Sequence, residues 1–588
     1  MPLIVQKFGG TSVATPDRIR RAADRAVAAR KRGFDVVMVV SARGKKTDEL
    51  LELAESLSDD PPAREMDALL ATGEQESAAL MAMTLVAMGQ PAVSLTGGQA
   101  GIRTNAVHAK ARVAEIDQAA IRHHLAEGQV VIVCGFQGVD SDGHITTLGR
   151  GGSDTTATAL AATLAADECE IYTDVEGIFT TDPRKVADAR QIGRISYDEM
   201  LELASLGAGV MHGRSIEFAK KFAVPLRVRS SLSDGEGTLI TEASGDTRPV
   251  VGVAVVEKEA LVSLDQIPDQ PGTIATIFDC MADAKIAIDM VVQNVGRDGL
   301  ARVSFTVAEE ELAPAMRAAS TAIERIGGGV VHTQINLAKV SAVGLGMAAQ
   351  SGVAARLFRS LADRSINITM ITTSEIKISA LIGQESAAAA VVAIHGEFGL
   401  SDEPDTELGL VSPDARPLAD AVARLRDLED IAVSDVRMDR TQSSITLTGL
   451  PDEPGVVASL LEAVAAVGVE VDLIIQNAGQ DGRASVSLTI PRTRFAACVD
   501  AIAPLMHDWP AATSASEAEI AKLSVEGVGL RSHTGVGQRM FGAIAASGAN
   551  VRMIATSEII VSAVLSDDHA STAAAATESA FGLRSPPA

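Results

Sequence analysis

Residues 148–156 read LGRGGSDTT and lead into the alanine-rich segment ATALAA at residues 157–162. The glycines permit backbone shapes and close approaches that side chains forbid. Ser153 or Asp154 is expected to cap the helix that follows, whose unpaired N–H groups favour an anion. Arg150 adds a planar fork suited to a carboxylate or a phosphate. A plain glycine turn before a helix would have the same composition, so this loop alone does not decide the function.

A second glycine turn ends the first predicted strand, where residues 4–12 read IVQKFGGTS. Together with GRGGSD at residues 149–154, this stretch resembles the signature of the amino-acid kinase family. The residues KFGGTS point to the aspartate kinases within that family. The resemblance extends over nearly the whole chain.

Composition excludes several classes of function. The chain has 588 residues, enough for several domains, and a net charge of −25, which disfavours nucleic acid and anionic membranes as partners. Aromatic residues make up only 3%, too few for base-stacking surfaces. The four scattered cysteines predict buried thiols in a reducing compartment. With no apolar run of about 18 residues and no leader pattern, we expect a cytoplasmic protein.

Strand-like and helix-like patterns alternate over residues 1–245, the predicted catalytic domain. Continuous valine and isoleucine runs separated by helical patterns indicate a mostly parallel sheet sandwiched by helices. Ligands bind beyond the carboxyl ends of such strands, and the glycine turns and polar residues fall there. The predicted strands are residues 4–8, 36–40, 92–95, 130–134 and 171–173.

The resemblance assigns the catalytic and substrate-binding residues. Lys7, Arg150 and Asp154 are the expected catalytic residues. Residues 72–76, TGEQE, are expected to open a helix that carries Glu74. Without the resemblance, Glu74 would only complement a helix dipole, and residues 41–48 would fit a solvated basic turn as well as a substrate loop. The expected substrate contacts are Ser41, Thr47, Glu74, Arg150, Gly151, Ser153 and Asp154.

The nucleotide is expected to contact the first glycine turn and residues 171–184, IYTDVEGIFTTDPR. No phosphate-binding P-loop motif occurs in the sequence. Some relatives have Lys at the position of Gly209 and Pro is common at that of Gly213, so no nucleotide contact is assigned to Gly209. The expected contacts are Lys7, Phe8, Gly9, Gly10, Ser12, Thr173, Asp174, Phe179, Thr180, Asp182 and Arg184.

Phosphoryl transfer depends mainly on positioning and charge neutralisation. Backbone N–H groups of the glycine turns and the Lys7 ammonium would meet the phosphates of ATP. Mg²⁺ would arrive on the nucleotide, so no metal site built by the protein is expected. An aspartate side chain, with a pKa of about 3.9, is already ionised at neutral pH and needs no general base.

A tandem repeat fills the second half of the chain. Asp269-Gln270-Pro271-Gly272 recurs as Asp452-Glu453-Pro454-Gly455, with 452 − 269 = 183. Later landmarks keep the same offset, which indicates a duplication. Each copy holds two modules that resemble the ACT domain, a ferredoxin-like α+β module. The predicted ranges are 249–330, 337–400, 432–515 and 521–583, with a linker at 401–431.

By the same resemblance, paired ACT modules bind an amino-acid effector at their interface. Asp269 and Gln293 are expected to act with Asn367 and Ile368, and their repeat counterparts form a second set. A turn that only caps a helix is the alternative for each loop. The expected effector contacts are Asp269, Pro271, Gly272, Thr273, Gln293, Val353, Ala354, Asn367, Ile368, Thr373, Ser374, Asp452, Pro454, Gly455, Gln476, Val536, Asn550, Val551, Thr556 and Ser557.

The resemblance implies an aspartate kinase that makes 4-phospho-L-aspartate for lysine, threonine and methionine synthesis. Feedback by lysine, threonine or both is expected at the ACT modules, and a homo-oligomer is expected because such modules pair across chains. Two alternatives stay open at this point. One is an amino-acid kinase with another acceptor, such as glutamate 5-kinase, and the other is a non-catalytic amino-acid sensor.

Overall fold

The computed structural model describes residues 1–208, 210–295, 299–347, 350–404, 432–478, 482–528, 530 and 535–583. Gly209 and most of the predicted linker lie outside these ranges. Within them, no helix combines the length and apolarity needed to cross a bilayer. All four cysteines are buried and free, as the sequence predicts.

The first 241 residues build an α/β domain. Its strands are β1 Leu3–Phe8, β2 Asp35–Val40, β3 Ala92–Leu95, β4 Ile102–Thr104, β5 Val113–Ile116, β6 Val130–Cys134, β7 Gln137–Val139, β8 Ile145–Thr147, β9 Glu168–Thr173, β10 Arg194–Ser196, β11 Leu226–Ser230 and β12 Thr238–Thr241. Its helices are α1 Pro16–Lys31, α2 Lys46–Glu55, α3 Ala63–Ala87, α4 Ala119–Ala126, α5 Gly152–Leu164, α6 Tyr197–Leu203 and α7 Gly213–Phe222.

Eight strands form the main sheet, in the order β10-β12-β11-β9-β1-β2-β6-β3. Its neighbouring strands are parallel except β11 and β12. Alternate residues of β2 pack into two separate apolar clusters, Val37 and Val39 into one and Val36 and Met38 into the other. Helices therefore cover both faces, and the predicted mostly parallel sheet is confirmed.

Helix α3 corrects one prediction. The sequence predicts that residues 72–76 open a helix, which is wrong because α3 begins at Ala63 and runs to Ala87. Gly73 signals a break in the sequence but sits inside the helix. A Cβ atom at Gly73 would lie 2.8 Å from the Cβ of Ala42, so the glycine lets α3 approach the loop after β2.

Residues 252–583 build the repeated modules. Their strands are β13 Gly252–Pro268, β14 Asp289–Val295, β15 Leu300–Ala308, β16 Val330–Val343, β17 Ile368–Ser374, β18 Lys377–Gly383, β19 Ala432–Asp439, β20 Gln442–Pro451, β21 Ile474–Ala478, β22 Arg483–Pro491, β23 Thr513–Glu517, β24 Ile520–Val528, β25 Val551–Thr556 and β26 Ile560–Ser566. Their helices are α8 Thr273–Asp283, α9 Leu312–Ile326, α10 Val353–Ala362, α11 Ala387–Glu397, α12 Val456–Ala466, α13 Phe495–Ile502, α14 Leu505–Asp508, α15 Gly535–Ala546 and α16 Ala570–Ala580.

Neighbouring modules share strands. β13 and β16 form one antiparallel ladder, from Gly252 opposite Val343 to Asp265 opposite Val330. On its other edge, β13 pairs with β15, which pairs with β14 of the first module. On its other edge, β16 pairs with β18, which pairs with β17 of the second module. Likewise β19, predicted within the third module, pairs with β24 of the fourth. The module boundaries stay a prediction, and strands of neighbouring modules pair with each other across them.

The modules pair within the chain. β17 pairs with β21, which joins the second and third modules into one continuous sheet. The first and fourth modules meet through α8 and α15, where the rings of Phe278 and Phe541 lie 4.5 Å apart between centroids. An apolar cluster that includes Met290, Met370 and Met553 fills the space between the resulting sheets.

Candidate functional site

The loops that follow β1 and β2 meet at the carboxyl edge of the main sheet. Gly10 and Ala42 approach so closely that a Cβ atom at Gly10 would lie 2.6 Å from the Ala42 carbonyl oxygen. The Gly44 N–H donates to the Gly10 carbonyl at 2.9 Å, and the Gly9 N–H donates to the Tyr172 carbonyl, near the end of β9. The first glycine turn is therefore fixed between the loop after β2 and the end of β9.

Lys7 and Asp154 form an ion pair inside this edge. Nζ of Lys7, on β1, lies 2.5 Å from Oδ1 of Asp154, in the first turn of α5, and their side chains are only 11% and 12% exposed. Two residues 147 positions apart, 154 − 7, thus bring a cation to the start of a helix. A cation beside the first turn of a helix, where the N–H groups favour anions, is a suitable place for phosphate oxygens.

The glycine loop before α5 differs from its prediction in one respect. Gly151 is the N-cap of α5 with φ of 71°, and it offers no side chain. The prediction that Ser153 or Asp154 caps the helix is wrong, because both lie in its first turn and are buried. A Cβ atom at Gly151 would lie 2.3 Å from the Cβ of His212, so the loop needs glycine for its backbone shape and for this contact.

Glu74 is buried and incompletely satisfied. Its side chain is 3% exposed, and Oε1 accepts a hydrogen bond from the Ala42 N–H at 2.9 Å. Oε2 has no hydrogen-bond partner among the described residues. Burial raises the pKa of Glu74 to about 7, although the Ala42 N–H acts in the opposite direction. A buried carboxylate with one open oxygen is able to accept an ammonium group.

The other predicted substrate residues lie in the loop after β2, at the start of α2 and in the loop before α5. Ser41 follows β2, and Thr47 lies in the first turn of α2; both are partly buried. Arg150 is exposed at the tip of the glycine loop. Arg43, where the family often has Met, pairs with Glu76 at 2.6 Å. This local salt bridge occupies the extra positive charge that the sequence places here.

The residues predicted to contact the nucleotide around the end of β9 differ in their burial and in their partners. Thr173 is the last residue of β9, Asp174 follows it directly, and Phe179 is partly buried. Asp182 holds the exposed Arg184 through a bidentate contact, and the Arg184 hydrogen bonds keep the pKa of Asp182 below its ordinary value.

Three predicted nucleotide contacts have side chains occupied elsewhere. Thr180 is fully buried, and its hydroxyl lies 3.0 Å from Nε2 of His395 in α11. Phe8 is fully buried, and its ring stacks on Tyr172 at 4.7 Å. The Ser12 hydroxyl donates to Ser231 at 2.9 Å. Thr180 and Phe8 can therefore offer only backbone atoms to a nucleotide in this arrangement.

The effector residues are brought together in a combination that differs from the prediction. Asn550 donates from Nδ2 to Oδ1 of Asp269 at 2.8 Å, and the Gln293 amide lies 3.5 Å from the same oxygen. Asn367 donates instead to Oδ1 of Asp452 at 3.1 Å. The expected grouping of Asp269 with Asn367 is thus wrong, because the first module pairs with the fourth and the second with the third.

The two Asp-x-Pro-Gly loops have the expected geometry. Gly272 and Gly455, with φ of 96° and 99°, are the N-caps of α8 and α12. Thr273, Pro271 and Pro454 flank these helix starts. In the second set, the Gln476 amide donates to the carbonyl of Ile368, the first residue of β17, at 3.0 Å. In the first set, Val551 is the counterpart of Ile368 and is the first residue of β25.

Six of the seven remaining predicted effector residues line two pockets. Val353, Ala354, Thr373 and Ser374 border a pocket of about 250 Å³ between the second and third modules. The Thr373 hydroxyl accepts from the Ile474 N–H at 2.8 Å. Thr556 and Ser557 border a pocket of about 50 Å³ beside Phe278. Val536 is fully buried in the core of the first and fourth modules.

One kinase helix contacts both pairs of modules, which the sequence did not indicate. Glu202, on α6, is fully buried, and its Oε2 lies 2.8 Å from Nζ of Lys377 in the second module. Its Oε1 accepts from the Glu558 N–H of the fourth module at 3.0 Å. Burial lowers the pKa of Lys377, but Glu202 and other carboxylates outweigh burial and raise it.

The same contact is duplicated with the repeat. Ile376 and Ile559 are 183 positions apart, 559 − 376, and both join the apolar cluster that contains Met200 and Leu203 of the kinase domain. Each pair of modules therefore inserts one hairpin tip against α6. The signal available in the sequence is the repeated Thr-Ser-Glu-Ile segment at 373–376 and 556–559.

Comparisons with known proteins cover both the kinase domain and the repeated modules. The amino acid kinase family model matches residues 2–230, and the ACT domain model matches residues 340–398 and 523–581, in the second and fourth modules. An aspartokinase from Geobacillus stearothermophilus is 50% identical over 405 residues, which cover 68% of this chain and 98% of that protein.

Solved structures extend the similarity to the full length. The aspartate kinase from Synechocystis is 38% identical, covers 100% of both chains and superposes with a TM-score of 0.53. E. coli aspartokinase III in complex with aspartate and ADP is 26% identical, with a TM-score of 0.56, over 68% of this chain and 100% of that one. The same enzyme has also been solved with lysine and aspartate, and is 26% identical with a TM-score of 0.54 over 67% and 99% of the two chains. The chain belongs to the amino acid kinase family and, within it, to the aspartokinases.

Proposed function

We propose that the cleft at the carboxyl edge of the main sheet is where ATP and L-aspartate meet and 4-phospho-L-aspartate forms. The observation that carries this proposal is the buried Lys7–Asp154 pair at 2.5 Å, beside glycine turns from two distant parts of the chain. Lys7 neutralises charge on the transferring phosphoryl group. Asp154 holds the Lys7 ammonium at the start of α5.

The acceptor needs little chemical activation. The aspartate side chain has a pKa of about 3.9, so it is an anionic nucleophile at neutral pH. The site then has to bring two anions together, which requires positive charge and exclusion of water more than a base. Lys7 and the helical N–H groups of α5 supply that positive potential.

Two groups orient the amino acid. Oε2 of Glu74 is buried without a hydrogen-bond partner among the described residues, and it receives the substrate ammonium. Arg150 binds the α-carboxylate through its planar fork. Ser41, Thr47, Gly151 and Ser153 close the pocket between these charges. The substrate is thereby held at both ends, with its side chain toward the nucleotide.

ATP is proposed to lie over the first glycine turn and the segment after β9. Gly9, Gly10 and Lys7 meet its phosphates, and Thr173, Asp174, Phe179, Asp182 and Arg184 lie along the rest of it. Mg²⁺ bound to the nucleotide would neutralise part of the phosphate charge. The Asp154 carboxylate is engaged by Lys7, which fits a metal carried by ATP.

The repeated modules are proposed to sense amino acids. E. coli aspartokinase III has been solved with lysine, and lysine or threonine is the proposed effector here. Asp269 with Asn550, and Asp452 with Asn367, would receive the ammonium group, while the starts of α8 and α12 receive the carboxylate. Each pair of modules would provide one such site.

Effector binding is proposed to act on the kinase domain through α6. Glu202 contacts Lys377 of the second module and the Glu558 N–H of the fourth. The π-helical segment Ala204–Ala208, with its break at Gly207, follows α6 and leads toward His212 over Gly151. A ligand that shifts either pair of modules can therefore change the position of α6 and, through it, of the glycine loop. Inhibition requires that the effector bind the less active state more tightly.

The test is an ADP-release assay on the full chain with L-aspartate, L-glutamate and N-acetylglutamate as acceptors. Turnover with L-aspartate alone is expected, and it should fall when lysine or threonine is added. Turnover with L-glutamate instead would favour a glutamate 5-kinase-like activity. Absence of turnover with every acceptor, together with retained amino-acid binding, would favour a non-catalytic sensor.

A cytoplasmic location and a homo-oligomer remain predictions. The expected oligomer rests on ACT pairing between chains, whereas two module pairs form inside this chain. An oligomer would then use another surface, and analytical ultracentrifugation measures its size.

A further inference from the structure

Helix α3 carries a second buried carboxylate on the face that holds Glu74. Asp67 precedes Glu74 by seven residues, two helical turns, so both side chains point the same way. Asp67 is fully buried and Glu74 is 3% exposed. The two positions are about 10 Å apart along the helix axis, at 1.5 Å per residue. One rigid helix therefore fixes the spacing between whatever these two carboxylates hold.

Asp67 holds two segments of the chain. Its Oδ2 lies 2.7 Å from Nδ1 of His108, and its Oδ1 accepts from the Ala109 N–H at 3.0 Å. The Thr147 hydroxyl, at the end of β8, also donates to Oδ1 in a short hydrogen bond. These partners satisfy both oxygens, which a fully buried carboxylate requires. The arrangement joins the loop around His108 to the strand that precedes the glycine loop.

The same two segments fix the base of the loop that carries Arg150. The Ala111 N–H donates to the Thr147 carbonyl at 2.9 Å. Gly149, with φ of 76°, lies so close to the Ala109 carbonyl that a Cβ atom would be 3.1 Å from its oxygen. Gly149 thus lies two residues after Thr147 and against Ala109, and Asp67 accepts hydrogen bonds from both of these residues.

We propose that Asp67 is a positioning residue that fixes the separation of Arg150 from Glu74. α3 presents Glu74 directly to the substrate and, two turns earlier, anchors the loop whose tip is Arg150. One helix thereby sets the distance between Glu74, which binds the substrate ammonium, and Arg150, which binds its α-carboxylate. Selection of an α-amino acid is the consequence. This inference rests on the roles proposed above for Glu74 and Arg150.

The test compares Asp67→Asn with wild type in steady-state ADP release. The amide keeps the shape of the carboxylate, but one oxygen is replaced by an NH₂ group, so it cannot accept from His108, Ala109 and Thr147 together. We expect the aspartate KM to rise about tenfold or more, while the ATP KM stays within about twofold and kcat within about threefold. A merely structural role would affect both substrates or only the melting temperature.

A second pair of variants covers the case in which Asp67→Asn does not fold. Thr147→Ser keeps the hydroxyl and should retain the wild-type aspartate KM, whereas Thr147→Val should raise it with the ATP KM unchanged. Asp35→Asn is the matched control, because Asp35 pairs with Arg30 at 2.5 Å at the other end of β2. It should leave the aspartate KM unchanged.

The outcomes separate this inference from the proposed function. If Arg150→Lys raises the aspartate KM but neither Asp67→Asn nor Thr147→Val does, the positioning role is wrong. If Arg150→Lys has no effect, the role of Arg150 itself is wrong and this inference falls with it. Equal increases in both KM values for Asp67→Asn and Thr147→Val would also overturn the inference.

Discussion

Replacing Glu74 by Gln should cost activity and increase stability. In the wild-type protein, burial raises the pKa of Glu74 from 4.5 to about 7. The native state therefore binds this proton more tightly than the unfolded chain does. The free energy of unfolding then falls as the pH rises from about 4.5 to 7. The difference of about 2.5 pH units corresponds to about 3 kcal/mol, at 1.36 kcal/mol per unit.

Glu74→Gln removes this titration. At pH 8 the variant is expected to be more stable than wild type by up to about 3 kcal/mol, and the difference should vanish near pH 4.5. Chemical denaturation of both proteins at pH 5, 6.5 and 8 measures it. A variant that is equally stable, or less stable, at pH 8 would show that the ionised carboxylate is not disfavoured in the free enzyme.

The same titration should appear in substrate binding. If the substrate ammonium requires ionised Glu74, about a tenth of the enzyme is competent at pH 6, so the aspartate KM should be about tenfold higher than at pH 8. In Glu74→Gln the aspartate KM should be about 10- to 100-fold higher than in wild type at pH 8. Between pH 6 and 8 it should lack the change that the titration of Glu74 causes in wild type. Phosphates also titrate near pH 6, and the variant controls for that effect. A wild-type KM that is independent of pH would refute the reasoning.

Three further predictions concern binding and regulation. Arg150→Lys should raise the aspartate KM sharply with the ATP KM little altered, because an ammonium cannot make the bidentate contact; an unchanged aspartate KM refutes this role. Lysine or threonine should raise the melting temperature, and Asp269→Ala or Asp452→Ala should remove part of that rise; a full rise in both variants, measured by calorimetry, counts against the effector sites. Glu202→Gln should weaken inhibition by both amino acids while each still raises the melting temperature. Full inhibition of that variant would exclude α6 as the shared link.

The kinase fold was predictable because its strands are continuous apolar runs. Val36–Val40 and Val130–Cys134 are buried on both faces. A strand that is buried on both faces is apolar throughout, so its sequence alone indicates it. The start of α3 was not predictable in the same way. Gly73 is inside the helix because α3 packs against Ala42, and that contact is made by residues far apart in sequence. Local propensity alone places a break there.

The candidate sites were predictable as sets of residues but not as combinations. A constant offset of 183 relates Asp269 to Asp452 and Asn367 to Asn550 whichever modules pair. Only the tertiary pairing decides that Asp269 meets Asn550. Thr180 has a similar explanation, since its burial against His395 depends on how the second module docks on the kinase domain. The positioning residue Asp67 carries no motif of its own.

Aspartate-dependent ADP release by Lys7→Ala tests the central claim most directly, namely that the Lys7–Asp154 pair lies where phosphate is transferred. Lys31→Ala, which removes an exposed lysine at the end of α1, is the control. We predict that Lys7→Ala lowers kcat by at least about 100-fold and that Lys31→Ala stays within about twofold. A folded Lys7→Ala protein with wild-type turnover would contradict the account.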